Sequence, residues 1–190
     1  MRLVFVGPPG AGKGTQSEWL TAYLSIPHLS TGDMLRAAAE QGTELGQAAQ
    51  SYIEIGKLVP DELVMQIVGL RLDQGDCGGG FLLDGFPRTV NQAEALDALL
   101  ERRGEPLDMV LNLIVTEDVL LQRLLRRGRA DDTQDVVHKR LQVFQAETTP
   151  LLERYQDSSL VREVDGNGTP EEVTQRIKAL IDQHRAKADQ

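Results

Sequence analysis

A glycine-rich loop with a single lysine follows the first apolar segment of the chain. Residues 7–15 read Gly-Pro-Pro-Gly-Ala-Gly-Lys-Gly-Thr, so Lys13 stands in the G-x-x-x-x-G-K spacing of a Walker A loop. Glycines let successive backbone N–H groups converge on a phosphate, and Lys13 adds a point charge that can follow a moving phosphoryl group. The loop therefore predicts binding of the phosphates of a nucleotide. The dinucleotide-binding pattern G-x-G-x-x-G does not fit from Gly10, because position 15 is threonine.

Two aspartates stand where a parallel sheet would place metal-organising carboxylates. Asp84 ends the apolar run 81–83, which is the position of a Walker B carboxylate that organises Mg²⁺ or its water ligands. Asp33 follows the second predicted strand and is the second candidate.

Arginines cluster near the predicted strand ends. Arg123 and Arg127 are four residues apart on a predicted helix, so they share one face. Phosphoryl transfer depends on positioning and charge neutralisation, and guanidinium groups bind phosphate bidentately. The other candidates are Arg36, Arg88, Arg129 and Arg140.

Strand and helix patterns alternate along the chain, which predicts an α/β fold with a mostly parallel sheet. Ligands of such sheets bind outside the carboxyl ends of the strands, where the loop and both aspartates stand. The predicted strands are residues 3–6, 26–29, 81–83, 109–115 and 160–164. The predicted helices are 15–24, 31–39 with Thr31 as N-cap, 43–55, one capped by Asp61, 91–102, 117–127, 133–155 interrupted by Pro150, and one after a capping box at Thr169.

Composition excludes several classes of protein. The 190 residues carry a net charge of −9, which disfavours nucleic-acid and anionic-membrane partners. One cysteine excludes a disulfide framework and, with three histidines, makes a structural zinc site improbable. No apolar run approaches the ~18 residues of a membrane span, and the N-terminus lacks a secretory segment. We therefore expect a cytoplasmic protein.

Several segments together resemble the bacterial adenylate kinases, within the nucleoside monophosphate kinases. They are GPPGAGKGTQ at 7–16, LSTGDMLR at 29–36, GKLV at 56–59, GFLLDGFPR at 80–88, Gln92, GRADD at 128–132 and VDGNG at 164–168. The resemblance spans nearly the whole chain. In this family glycine is normal at position 14, which implies that Mg²⁺ is held largely through waters organised by Asp33 and Asp84.

The resemblance implies a P-loop NTPase-type fold, a parallel five-stranded sheet with helices on both faces. It implies a single kinase domain over 1–190 with a helical NMP-binding insertion at about 30–59 and a short lid at about 126–136. Because the lid is short and lacks CxxC, no lid zinc is expected. The partners implied are ATP, AMP and ADP, and the family favours a monomer.

The resemblance also assigns two nucleotide sites. The residues implied to bind ATP are Gly10, Ala11, Gly12, Lys13, Gly14, Thr15, Arg123, Arg127 and Gly168. The residues implied to bind AMP are Thr31, Arg36, Lys57, Leu58, Val59, Gly85, Phe86, Pro87, Arg88, Gln92, Arg129 and Arg140. The catalytic set is Lys13, Arg88, Arg123, Arg129 and Arg140.

The function expected is reversible transfer of a phosphoryl group from MgATP to AMP, giving two ADP, in adenine nucleotide homeostasis. The alternative is the same chemistry on a pyrimidine acceptor, as in UMP/CMP kinases. Thr31 and Gln92 favour AMP, because a hydroxyl and an amide can read the edge of adenine. A GTPase-type switch is disfavoured because the chain has no N-K-x-D motif. An inactive interaction module is disfavoured because Lys13, Asp84 and the arginines are all present.

Overall fold

Five parallel strands form one sheet in the order β2-β3-β1-β4-β5. The structure, a computed structural model, describes residues 1–127 and 133–188, without the side chains of 125, 127 and 188. The strands are β1 (Arg2–Val6), β2 (His28–Ser30), β3 (Phe81–Asp84), β4 (Met109–Ile114) and β5 (Val161–Asp165). The predicted parallel five-stranded sheet is confirmed.

Helices connect the strands and cover the sheet. They are α1 (Lys13–Leu24), α2 (Thr31–Glu40), α3 (Glu44–Glu54), α4 (Asp61–Leu72), α5 (Val90–Arg103), α6 (Glu117–Arg127), α7 (Gln134–Val143), α8 (Thr149–Asp157) and α9 (Pro170–Ala188). A 3₁₀ turn spans Gly75–Cys77, and a π-helical turn, Phe144–Thr148, joins α7 to α8. Within the described ranges, no helix combines the length and the apolar character that crossing a membrane requires.

The core lies in two layers because side chains alternate along each buried strand. Val4 and Val6 of β1 belong to one core cluster with side chains of α2, α3, α4, α5 and α8 on one face of the sheet. Leu3 and Phe5 pack against α1, α6 and α9 on the other. Helices therefore cover both faces, which leaves the carboxyl ends of the strands as the place for a site.

Most predicted elements are present, with shifted ends. β2 begins two residues later than predicted and runs into α2, so Ser30 rather than Thr31 caps that helix, and its Oγ accepts the Asp33 N–H at 3.3 Å. Asp61 is likewise the first residue of α4 rather than its cap. The capping box before α9 is confirmed: Thr169 Oγ1 accepts the Glu172 N–H, and Glu172 Oε2 accepts the Thr169 N–H.

The long helical stretch is interrupted just before Pro150, as predicted: α7 ends at Val143 and α8 begins at Thr149. The chain passes through the π-helical turn and continues as α8, with the proline in its first turn. A proline cannot donate a helical hydrogen bond and crowds the carbonyl four residues earlier, and a π-turn relieves both conflicts locally.

Candidate active site

A cleft of about 720 Å³ lies at the carboxyl ends of β1, β2 and β3. Its walls come from the phosphate loop at residues 7–15, the first turn of α2, the segment 56–59, the turn after β3, and α7. This volume is typical of small-molecule sites. The cleft joins the two groups of residues that the sequence assigned to different nucleotides.

The phosphate loop wraps around Lys13. Gly10 and Gly12 have φ angles of 85° and 97°, a region that favours glycine, and Gly12 is the N-cap of α1 without any side-chain cap. Lys13 Nζ donates to the carbonyl oxygens of Gly7 at 2.7 Å and Pro8 at 3.3 Å. The uncapped N–H groups of α1, the helix dipole and the ammonium group together favour an anion at this point.

Arg123 of α6 joins the phosphate loop to the loop after β5. Its guanidinium donates to the carbonyl oxygens of Ala11 at 3.0 Å, Gly166 at 2.9 Å and Gly168 at 3.2 Å. These bonds fix the distance between the two loops expected to hold the ATP phosphates and base. The side chain thus holds backbone in place here, a role that the sequence did not predict.

Asp84 is a buried carboxylate at the end of β3. Burial raises its pKa, but the hydrogen bond with His28 and the charges of Lys13 and Arg88 outweigh that effect, so the pKa lies below its ordinary value. His28 Nε2 stands 3.3 Å from Asp84 Oδ2. The carboxylate is therefore ionised at neutral pH.

Asp33 also lines the cleft, in the first turn of α2, where it pairs with Arg36. Two carboxylates beside a phosphate loop fit Mg²⁺, which prefers oxygen ligands and keeps several waters when it binds with substrate phosphates. No group of three or more His, Cys, Asp or Glu side chains that could hold a metal occurs within residues 1–127 and 133–188.

The side of the cleft that the sequence predicted to bind AMP is built around the turn that follows β3. The Thr31 hydroxyl is buried and donates to the Gly85 carbonyl at 2.9 Å, and Arg88 Nε donates to the same carbonyl at 2.7 Å. Arg88 is exposed to solvent where its side chain faces the open cleft. The protein atoms around it disfavour its charged form and lower its pKa despite the opposing charge of Asp84, and the charges of Arg140 and Arg36 lower that pKa further. Three guanidinium groups therefore converge here.

Gln92 of α5 is 2% exposed and has both ends of its amide hydrogen-bonded. Its Oε1 accepts the Arg88 N–H at 2.7 Å, and its Nε2 donates to Asp61 Oδ1 at 2.7 Å. The backbone carbonyl of Arg88 is also hydrogen-bonded, because Thr148 Oγ1 donates to it at 3.0 Å. Asp61, Thr148 and His28 were not predicted as site residues, because each acts through a partner distant in sequence.

Most of the predicted site residues line this one cleft. They are Gly10, Ala11, Gly12, Lys13, Gly14, Thr15, Thr31, Asp33, Arg36, Lys57, Leu58, Val59, Asp84, Gly85, Pro87, Arg88, Gln92, Arg123, Arg140 and Gly168. Phe86 instead packs fully buried in the core, so only its backbone is placed to contribute. The side chain of Arg127, and Arg129 with the rest of 128–132, lie outside the described residues.

Known proteins are similar in sequence to this chain over almost its full length. A profile described as adenylate kinase matches residues 5–160. The chain belongs to the adenylate kinase family. It is 48% identical over 180 residues to "Adenylate kinase 1" of Nostoc sp., covering 95% of this chain and 98% of that protein. It is 51% identical over 181 residues to an adenylate kinase of Mycobacterium tuberculosis, covering 95% and 99%. An adenylate kinase of Corynebacterium urealyticum is 48% identical over 182 residues, covering 96% and 99%.

Adenylate kinase family membership agrees with the fold and with the phosphate loop. It makes the chain a nucleoside monophosphate kinase, a phosphotransferase, and it does not favour the pyrimidine-kinase alternative.

Proposed function

We propose that this chain catalyses reversible phosphoryl transfer from MgATP to AMP, giving two ADP. The observation that carries the proposal is that one continuous cleft is lined both by the Lys13 loop and by Thr31, Arg88 and Gln92. A donor and an acceptor nucleotide bound in these positions would meet at their phosphates.

The proposed mechanism is in-line attack by an AMP phosphate oxygen on the γ-phosphorus of ATP. The phosphate is already anionic, so no general base is required. Lys13, Arg88, Arg123 and Arg140 would orient the phosphates and neutralise charge as it shifts from donor to acceptor. Mg²⁺, when bound through water to Asp33 and Asp84, would add charge neutralisation on the ATP phosphates.

We also propose that residues 30–59 form the AMP-binding insertion and that 126–136 form the lid, with Arg127 and Arg129 completing the charge clamp. α2 and α3 make up most of the insertion. A Cβ at Gly56 would lie 3.2 Å from Val136 Cγ1 and 3.3 Å from Arg140 Cγ, so the end of the insertion already touches α7. Closure of both segments would exclude water, which otherwise competes as phosphoryl acceptor.

The same proposal extends to the oligomeric state, the compartment and the partners of the enzyme. We propose that the enzyme works as a monomer in the cytoplasm, in adenine nucleotide homeostasis, without nucleic acid or membrane partners. Free Cys77 is compatible with a reducing compartment.

The experiment that tests the function is an assay with ATP, Mg²⁺ and each of AMP, CMP, UMP and GMP as acceptor. We expect kcat/KM for AMP to exceed that of every other acceptor by more than about tenfold, which is ~1.4 kcal/mol of transition-state binding. A smaller preference would contradict the proposed specificity for AMP, and a preference for CMP or UMP would support the pyrimidine-kinase alternative.

A further inference from the structure

The amide of Gln92 has only one orientation that satisfies its neighbours. The Arg88 N–H can only donate, and the Asp61 carboxylate can only accept. Exchanging the oxygen and nitrogen of the amide would therefore face donor with donor and acceptor with acceptor. Gln92 is 2% exposed, so little water reaches the amide to relieve either mismatch.

Asp61 is itself held in place by the start of α5. Its Oδ1 accepts from Gln92 Nε2 at 2.7 Å, and its Oδ2 accepts from Thr89 Oγ1 at 3.4 Å. The same Thr89 oxygen caps α5 by accepting the Gln92 N–H at 3.1 Å. Gln92 lines the cleft and Asp61 stands behind it, so Asp61 acts on a bound base only through Gln92.

The orientation of this amide matters because adenine and guanine present opposite patterns on their Watson–Crick edges. Adenine offers an acceptor at N1 and a donor at N6, whereas guanine offers a donor at N1 and an acceptor at O6. Beyond its two protein bonds, Gln92 retains one N–H and one carbonyl lone pair. One orientation of that pair complements adenine, and the exchanged orientation complements guanine.

We propose that Asp61 is a positioning residue that locks Gln92 in the adenine-complementary orientation and so sets the preference for AMP over GMP. The inference rests on the proposed function, in that Gln92 faces the acceptor base. Without the Asp61 carboxylate, the lock depends on the Arg88 N–H alone. The preference for AMP over GMP then falls by about fivefold or more, the equivalent of one buried hydrogen bond.

The test compares Asp61→Ala and Asp61→Asn with Glu62→Ala, which removes an exposed carboxylate from the same first turn of α4. Dissociation constants of AMP and GMP are measured by calorimetry, and kcat and KM with ATP by coupled assay. Asp61→Ala lowers the ratio of kcat/KM for AMP to kcat/KM for GMP, mainly by raising KM for AMP. Asp61→Asn keeps most of the ratio, because its Oδ1 still accepts from Gln92. Glu62→Ala keeps the wild-type ratio.

Two results would overturn the proposal: an unchanged ratio in Asp61→Ala, or an equal fall in Asp61→Ala and Glu62→Ala. If Asp61→Ala does not fold, Asp61→Ser provides the same comparison, since its hydroxyl is too short to reach the amide. A wild-type protein that does not phosphorylate AMP contradicts the proposed function instead, and the ratio of binding constants still tests Asp61.

Discussion

Single side chains in this cleft are oriented by backbone carbonyls before any nucleotide binds. Lys13 donates to Gly7 and Pro8, Arg123 donates to both neighbouring loops, and Arg88 donates to Gly85. Cationic groups held in this way need little reorganisation when a phosphate arrives, and such preorganisation is the main source of electrostatic catalysis.

Lys13→Met provides the residue-scale test of the phosphate loop. The substitution keeps the length of the side chain and removes its charge, so we expect kcat to fall by about 10²-fold or more while the fold is kept. The measurement is the coupled ATP and AMP assay, with circular dichroism to check folding. Lys187→Met, on an exposed position near the end of α9, should retain wild-type turnover. Unchanged activity in Lys13→Met would contradict the site assignment.

The pKa of Asp84 predicts how stability responds to acid. The folded-state pKa lies below the ordinary value of 3.8, so the unfolded chain binds this proton more readily than the folded protein does. The stabilisation is complete above that ordinary value and is lost as the pH falls through the folded-state pKa.

We therefore expect the free energy of unfolding to fall more steeply with acid below about pH 4 in the wild type than in Asp84→Asn. Urea titrations from about pH 5 to about pH 2.5 measure this slope. Equal slopes for the two proteins would show that Asp84 titrates at its ordinary pKa.

Residue types and local spacing were enough to predict Lys13, Asp84 and Arg88, because each lies in a motif whose chemistry is local. They were not enough to find Asp61 or Thr148. Asp61 bonds to Gln92, 31 positions away, and Thr148 bonds to Arg88, 60 positions away. Only the packing of α4 and of the π-helical turn against the start of α5 brings these pairs together.

At the scale of elements, the π-helical turn places Thr148 against Arg88 in the proposed AMP subsite. Thr148→Val removes the hydrogen bond to the Arg88 carbonyl, and we expect a loss of about 1 kcal/mol in unfolding free energy together with a raised KM for AMP. Urea unfolding and steady-state kinetics measure the two effects. Thr149→Val, at the exposed neighbouring position, is the matched control. Equal effects of the two substitutions would exclude a specific role for Thr148.

Gly46 determines how closely α2 and α3 approach each other. A Cβ there would lie 2.1 Å from the Ala38 carbonyl carbon, whereas a Cβ at Gly69 of α4 would meet no atom within 4 Å. We expect Gly46→Ala to destabilise the protein by about 1–3 kcal/mol through overpacking. Gly69→Ala should stabilise it by up to about 1 kcal/mol through helix propensity.

Thermal or urea unfolding distinguishes the two glycine variants. If Gly46→Ala were as stable as Gly69→Ala, the close packing of α2 on α3 would be wrong. The sequence predicted both helices, but it could not indicate their separation, because a helical glycine is compatible with open surface as well as with close contact.

For the whole molecule, a net charge of −9 coexists with a cationic cleft. The acidic surplus lies partly on exposed first turns such as Glu171 and Glu172 of α9, while Lys13, Arg36, Arg88, Arg123 and Arg140 converge on one opening. The net charge therefore disfavours non-specific binding to nucleic acids and membranes. It does not argue against binding of a small nucleotide in a cleft with a local positive field. The alternation of strands and helices predicted a mostly parallel sheet but not the order of its strands. The strand ends shifted because hydrogen bonding with neighbouring strands sets them.

The most direct measurement of the central claim is the fate of the terminal phosphoryl group of ATP. The chain is incubated with Mg²⁺, AMP and ATP carrying a γ-phosphorus label, and the products are separated early in the reaction. The label is predicted to appear in the β-phosphate of ADP formed from AMP, with little inorganic phosphate. Label released mainly as inorganic phosphate, or retained in ATP, would contradict direct transfer between two nucleotides in this cleft.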